Sequence, residues 1–268
     1  MRTSQRAQLQ PAYVLHQRAF RDTSAVVELF TPEHGRVVAL AKGLKRPKSR
    51  WQGIVQPFQP LLASWSGRGE MGTLTAAEAQ GRALTLQGDV LACGFYVNEL
   101  VMRLLHKHDP HLELFSDYDA TLRQLACLNN EIKKGLGKID SAWSVQACLR
   151  HFEVNLMDAL GYALMLDRES GSRQPIDADA FYDYTLEQGP VAVGRVESVD
   201  VSAVRVQGKT LLGLARRSLS EGDDACLFRE ARQLMRVVLD HYLGHQPLNS
   251  RQLFAGQRKM IPPVELIS

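Results

Sequence analysis

The chain has 268 residues, 45% of them hydrophobic and 23% charged, with a formal net charge of +3. That length and apolar content can bury a core in two domains, and no window approaches the roughly 18 consecutive apolar residues of a membrane span. The polar stretch Met1 to Pro11 lacks the apolar centre of a secretory signal, so the expected compartment is the cytoplasm. The four cysteines (Cys93, Cys127, Cys148, Cys226) never form a Cys-x-x-Cys pair, which excludes a disulfide framework or a cysteine zinc site as the organising feature. The mild total charge hides an asymmetry. Residues 1–84 carry 12 Lys/Arg against 5 Asp/Glu, whereas residues 85–268 carry 20 against 24. A basic first third points to a polyanionic partner.

Up to about residue 84 the apolar runs are short and separated by turn residues. Tyr13 to Phe20 and Ala25 to Thr31 read as strands, and Pro32-Glu33-His34-Gly35 as the tight turn before a third strand, Arg36 to Ala41. Phe58 to Trp65 and Met71 to Ala79 supply two more, separated by Gly67-Arg68-Gly69. The Ala-rich run Thr75 to Ala83 is compatible with a strand or with the start of a helix. Five short strands in residues 1–84 predict a small closed barrel of the OB type.

The loop after the third strand is the most basic segment of the chain. Lys42, Lys45, Arg46, Lys48 and Arg50 fall within nine residues, with no carboxylate among them and with Trp51 following. Gly43 and Pro47 argue against a helix. The sequence assigns phosphate binding to these five cations together with Arg36 and Arg68, in preference to a merely solubilising loop. Trp51 and Tyr13 are candidates for stacking on bases, although a place in the core is the favoured reading for both.

From residue 85 the apolar spacing becomes helical. Leu91, Phe95, Met102 and Leu105 define one stripe, and Leu112, Phe115, Leu122 and Leu125 a second. Asn129 to Gly137 reads as a polar loop. Ser141 is expected to cap a long helix with the stripe Val145, Cys148, Phe152, Leu156 and Leu160. An irregular or β insertion occupies about 167–200, with a hairpin (Phe181 to Leu186, Val191 to Val196) turning at Gln188-Gly189. A last helix runs from Ala225 to Tyr242 and ends at Gly244. The fold class is therefore α+β: a barrel over 1–84 and a mainly helical domain over 85–268.

Catalytic chemistry is mostly eliminated. Gly67-Arg68-Gly69-Glu70-Met71-Gly72 matches a dinucleotide fingerprint, but no βαβ pattern surrounds it, so these glycines read as a turn between barrel strands. There is no Walker A loop and no Gly-x-Ser-x-Gly elbow. Asp117 with Asp119, and Asp177 with Asp179, do not form a carboxylate pair for a metal, and His106, His108 and His111 straddle a helix end. No catalytic residue, metal ligand or cofactor site is assigned.

These segments also resemble a family. Tyr13-Val14-Leu15-His16, Phe30-Thr31, Gly35-Arg36-Val37, Ala41-Lys42-Gly43, Gln56-Pro57-Phe58 and Gly67-Arg68-Gly69-Glu70 are similar to the N-terminal domain of the bacterial recombination mediator RecO. Tyr96-Val97-Asn98-Glu99-Leu100, Leu149-Arg150-His151-Phe152-Glu153, Leu160-Gly161-Tyr162 and Pro247-Leu248-Asn249-Ser250-Arg251 continue the resemblance in order along nearly the whole chain. The resemblance implies an OB-fold followed by a helical domain, and DNA repair by the RecF pathway in the cytoplasm, at the nucleoid. It implies binding of single- and double-stranded DNA and annealing of strands coated by single-stranded-DNA-binding protein. It also implies loading of RecA with RecR. Some relatives carry a four-cysteine zinc motif after the long central helix; Asp167 to Ser172 has no cysteine, so no zinc is expected here.

The acidic, apolar tail of the single-strand-binding protein is an implied partner, and Arg150 is its candidate receptor. A guanidinium can pair bidentately with a terminal carboxylate. An intrahelical pair of Arg150 with Glu153 is the equal alternative, with Arg123, Lys133 and Lys134 next in line for the tail. An OB-containing RNA-binding accessory protein is the runner-up class, since a basic loop does not tell DNA from RNA.

Overall fold

The structure, a computed structural model, describes residues 4–135, 138–193, 203–220, 224–244, 246–250 and 253, without the side chains of residues 4, 5, 68 and 138–141. Five strands, β1 (Ser4–Phe20), β2 (Ser24–Thr31), β3 (Gly35–Ala41), β4 (Leu61–Arg68) and β5 (Met71–Ala79), close into a barrel in the order β1-β2-β3-β5-β4. All neighbours are antiparallel except β3 and β5. This is the OB-type barrel expected from the strand count. The Ala-rich run continues as strand to Ala79, because its residues complete the ladder with β4 from Leu61↔Ala79 onward. The glycines at 67–72 form the antiparallel turn from β4 to β5. A Cβ on Gly67 would lie 2.7 Å from the Cα of Gly72, so the two strand ends approach too closely for a side chain.

Strand alternation divides β1 and β2 between two cores. Val14, Val27, Leu29, Val37, Ala39, Leu61, Ala63 and Trp65 fill the barrel. Tyr13, Leu15 and Phe30 point outward and join the core of the helical domain. Both faces are thus buried, which is why these strands read as almost continuous apolar runs. β1 curls around the barrel through a bulge between Ala7 and Gln10, where the Leu9 amide donates to Ser64 Oγ at 2.9 Å.

The helical domain contains α1 (Gly88–Leu104), α2 (Leu112–Lys133), α3 (Lys138–Ala159), α4 (Gly208–Ala215) and α5 (Ala225–Tyr242), with a sheet of β6 (Phe181–Thr185), β7 (Gly189–Ala192) and β8 (Val204–Gln207) in the order β7-β6-β8. Several boundaries differ from the sequence reading. The polar residues 129–133 belong to α2, and the buried Asn129 accounts for this: its amide donates to the Thr85 carbonyl at 3.1 Å and its Oδ1 accepts from the Gln87 amide at 3.0 Å. α3 begins at Lys138, which places Ser141 inside the helix instead of at its cap. The buried stripe of α1 is Val90, Cys93, Val97, Leu100 and Val101; Leu91, Phe95 and Met102 are only half-buried, because α1 packs between the barrel and the other helices. α5 starts as expected, with the Asp224 carboxylate accepting from the Cys226 amide.

Polar pins fix the barrel to the helices. Asn98 on α1 donates to the Leu15 carbonyl of β1 at 2.9 Å and accepts from Tyr118 Oη of α2 at 2.6 Å. Tyr13 Oη donates to Asp119, which is also held by Arg123 at 2.7 Å. Burial and the neighbouring Asp119 raise the Tyr13 phenol well above its ordinary range. Tyr13, Phe30, Phe115 and Tyr118 complete the joint as a ring cluster with centroids 5.2–6.0 Å apart. A loop attached to this barrel is therefore held at a set position relative to the helices.

Candidate nucleic-acid interface

β3 leaves the barrel at Ala41 into a loop that spans 42–60, and two kinds of anchor shape it. The Lys45 amide donates to the Thr23 carbonyl at 2.9 Å, tying the loop to the β1–β2 turn. Trp51 is 3% exposed, packs in the barrel core with Val55, and donates from Nε1 to the Lys42 carbonyl at 3.0 Å. Between these anchors, successive turns link Arg46 to Gly43, Ser49 to Arg46 and Gln52 to Ser49. The loop is held by backbone bonds and one buried indole, so its long side chains stay outside.

Lys42, Lys45, Arg46, Lys48 and Arg50 are all exposed. Among the described residues no carboxylate pairs with any of them. Arg50 is the most restrained: its guanidinium lies 4.1 Å from the Trp51 ring centroid and donates to the Thr75 carbonyl at 3.2 Å. Unpaired like charges on a backbone-braced loop repel one another, and a phosphate chain relieves that repulsion. The two aromatic candidates for base stacking, Trp51 and Tyr13, are core residues.

Two of the other expected site residues are turned inward. Arg36 donates to the carbonyls of Met102 and, at 2.8 Å, Leu105, and pairs with Glu28 at 2.7 Å. With its side chain 11% exposed, it satisfies the last carbonyls of α1 and joins barrel to helix, which leaves little of it for a phosphate. Arg150 is also turned inward. Its side chain is 7% exposed and pairs with Glu153, itself fully buried, whose Oε1 also accepts from Tyr96 Oη at 2.6 Å. Burial works against the charge on Arg150, but Glu153 and Tyr96 with the nearby Cys93 together outweigh it and raise the guanidinium above its ordinary range. This is the geometry of the intrahelical pair, the equal alternative in the sequence. The Arg68 side chain lies outside the described residues.

Sequence reasoning missed the β1–β2 turn. Phe20 and Arg21 stand beside Lys42 and Arg46 around a cleft of about 270 Å³ at the foot of the basic loop. The hairpin pairing Phe20↔Ser24, the β2–β3 pair Ala25↔Ala41 and the Lys45–Thr23 bond bring these distant residues together. A larger cleft, about 670 Å³, opens in the helical domain, where Arg168, Arg173, Arg216 and Arg217 surround Leu166, Ile176 and Leu212. Arg217 is bound to Asn155 and Asp158, and Arg168 to Asp167; Arg173 and Arg216 are exposed and unpaired among the described residues.

Hydrogen bonds close the turn at 167–176. Glu169 and Gln174 bond across it at 2.8 Å, the Ile176 amide donates to the Asp167 carbonyl at 3.0 Å, and Ser172 Oγ donates to the buried Glu169 carboxylate at 2.6 Å. Among the described residues no three His, Cys, Asp or Glu side chains gather as a metal cage, and no helix is long and apolar enough to cross a membrane.

Comparison with known proteins agrees with this architecture. Residues 6–81 match the model for Recombination protein O N terminal, and residues 86–252 the model for Recombination protein O C terminal. The chain is 45% identical over 255 residues to the DNA repair protein RecO of Nitrosococcus oceani, covering 95% of this chain and 96% of that protein. It is 43% identical to the DNA repair protein RecO of Nitrosospira multiformis (93% of this chain, 95% of the relative) and 40% identical to that of Coxiella burnetii (93% and 99%). With both family models matched and relatives of this identity spanning nearly its full length, the chain belongs to the RecO family of DNA repair proteins.

Proposed function

We propose that this chain binds single- and double-stranded DNA on the loop at 42–50, anneals complementary strands coated by single-stranded-DNA-binding protein, and assists RecA loading together with RecR. The observation that carries the DNA reading is the group of exposed, unpaired cations braced on the barrel by Trp51 and the Thr23 carbonyl. Joining two polyanions costs electrostatic repulsion, and cations that displace the condensed counterions of both strands reduce that cost without a chemical step. Phosphate contacts carry no sequence information, which suits a protein that must anneal any pair of strands. Membership of a DNA repair family favours DNA over the RNA-binding alternative. The RecR and RecA steps are carried over from the family.

The tail of the single-strand-binding protein is assigned to the arginine-rimmed cleft of the helical domain, since Arg150 is committed to Glu153. An acidic chain ending in an apolar residue needs cations beside an apolar floor. Arg173 and Arg216 over Leu166, Ile176 and Leu212 provide both.

An annealing assay tests the reading. The purified chain, without ATP and after chelation of divalent ions, should anneal both bare and coated strands. Arg173→Glu with Arg216→Glu should slow the coated reaction at least severalfold and leave the bare one unchanged. No annealing of either substrate by the folded protein, or strand cleavage on adding magnesium, would overturn the reading. Loss of tail binding in Arg123→Glu, Lys133→Glu, Lys134→Glu instead would move the docking site to α2.

A further inference from the structure

The outward cations Lys45, Lys48 and Arg50 can hold the phosphates of any nucleic acid, paired or unpaired. The cleft beneath them is more selective. Its floor is apolar, formed by the half-buried Phe20 and Leu40, and its rim is cationic, formed by Arg21, Lys42 and Arg46. All three rim cations are exposed and form no ion pair among the described residues. The Arg21 guanidinium lies 5.4 Å from the Phe20 ring centroid, so ring and guanidinium together offer a platform to a planar group. Arg21 holds φ +53, a left-handed backbone conformation natural to glycine, yet the chain places a cation there. The walls are braced: the Lys45 amide bonds the Thr23 carbonyl at 2.9 Å and the Gly43 amide reaches Ser24 Oγ at 3.4 Å.

At about 270 Å³ the cleft lies just below the usual range for a drug-sized ligand, which fits one base and excludes a base pair. From this we infer that the cleft is a single-strand-selective subsite. It takes one unpaired nucleotide, with the base on Phe20 and Leu40 and the adjacent phosphates on Arg21, Lys42 and Arg46. A base inside a duplex is stacked and paired and cannot enter, so duplex DNA is left with Lys45, Lys48 and Arg50. This inference rests on the DNA-binding reading above and adds the means by which the barrel tells unpaired from paired strands.

The test compares the full chain with Phe20→Ala in titrations against a fluorescent single-stranded oligonucleotide and a blunt duplex of the same length, at one salt concentration. Loss of one stacked base should weaken single-strand affinity roughly tenfold and leave duplex affinity within about twofold, while Phe20→Tyr retains both. Arg21→Ser, on an exposed turn, is the second variant. It should reduce the slope of log affinity against log salt by about 0.7 for the single strand and leave the duplex slope unchanged. Wild-type single-strand affinity in Phe20→Ala and an unchanged single-strand slope in Arg21→Ser would overturn the subsite, as would equal losses on both substrates. If the loop variant Lys45→Glu, Arg46→Glu, Lys48→Glu still binds less tightly in that case, the DNA reading stands and only the subsite falls. If that variant binds normally as well, the DNA reading itself is wrong.

Discussion

Glu153→Ala should destabilise the helical domain by about 3–5 kcal/mol, the usual cost of leaving one member of a buried ion pair uncompensated. Glu153 is fully buried on α3, and its Oε1 receives both the Arg150 guanidinium and the Tyr96 hydroxyl. Truncation removes the carboxylate that balances the Arg150 charge, and Arg150, only 6% exposed, has little access to water in exchange. Glu153→Gln, which keeps an acceptor oxygen, should cost less. Replacing both partners, Arg150→Met with Glu153→Leu, should recover most of the loss, because the desolvation of two charges is removed with them. Chemical denaturation of the four proteins checks this order. It also bears on how an Arg150→Ala variant is read: weaker binding of any partner by that protein would follow from a disturbed core before it marked Arg150 as a docking residue.

The second large effect is expected at the joint between barrel and helices. Gly35 ends the β2–β3 turn at φ +58, and a Cβ there would lie 1.9 Å from the Asp109 carbonyl oxygen and 2.6 Å from its carbon. Both obstacles are backbone, so neither rotates away. Next to it, the Arg36 carbonyl accepts from the His108 amide at 3.0 Å and the Arg36 side chain closes over the end of α1, so displacement of Gly35 also disturbs that anchor. Gly35→Ala should cost about 1–2 kcal/mol for the left-handed conformation and about 1–3 kcal/mol for the overlap. For a chain of this size that is a fall in Tm of roughly 10 °C. Gly53→Ala is the control. Gly53 has φ +75 but nothing within 4 Å of an added Cβ, so it should show only the conformational part of the cost.

The barrel was legible because its strands alternate and end at turn residues, and the basic loop because five cations without a carboxylate form a local pattern. What the sequence could not supply was direction. Arg36 and Lys42 lie six residues apart in one basic segment, yet β3 turns the first against α1 and the loop turns the second to solvent. Arg150 sits among apolar residues of α3, a pattern shared by a groove-side receptor and a core ion pair; only the packing of Tyr96 and Glu153 against it decides. Leu91 and Phe95 suited a helical stripe, but α1 is enclosed on several sides and its deepest face is Val97, Leu100 and Val101. β8 and α4 escaped notice because four and eight residues are too few for a period to emerge. Phe20 and Arg21 carried no signal of their own, since their place beside Lys42 depends on a hairpin and a cross-loop hydrogen bond.

The salt dependence of DNA affinity, measured for the wild-type chain and for Lys45→Glu, Arg46→Glu, Lys48→Glu with the same single-stranded oligonucleotide, decides whether the basic loop holds the DNA. If these cations neutralise phosphates, the variant should bind much more weakly at low salt, and its slope of log affinity against log salt should be shallower by about 2, roughly 0.7 for each phosphate no longer neutralised. A folded variant with wild-type affinity at low salt and an unchanged slope would place the DNA on another surface.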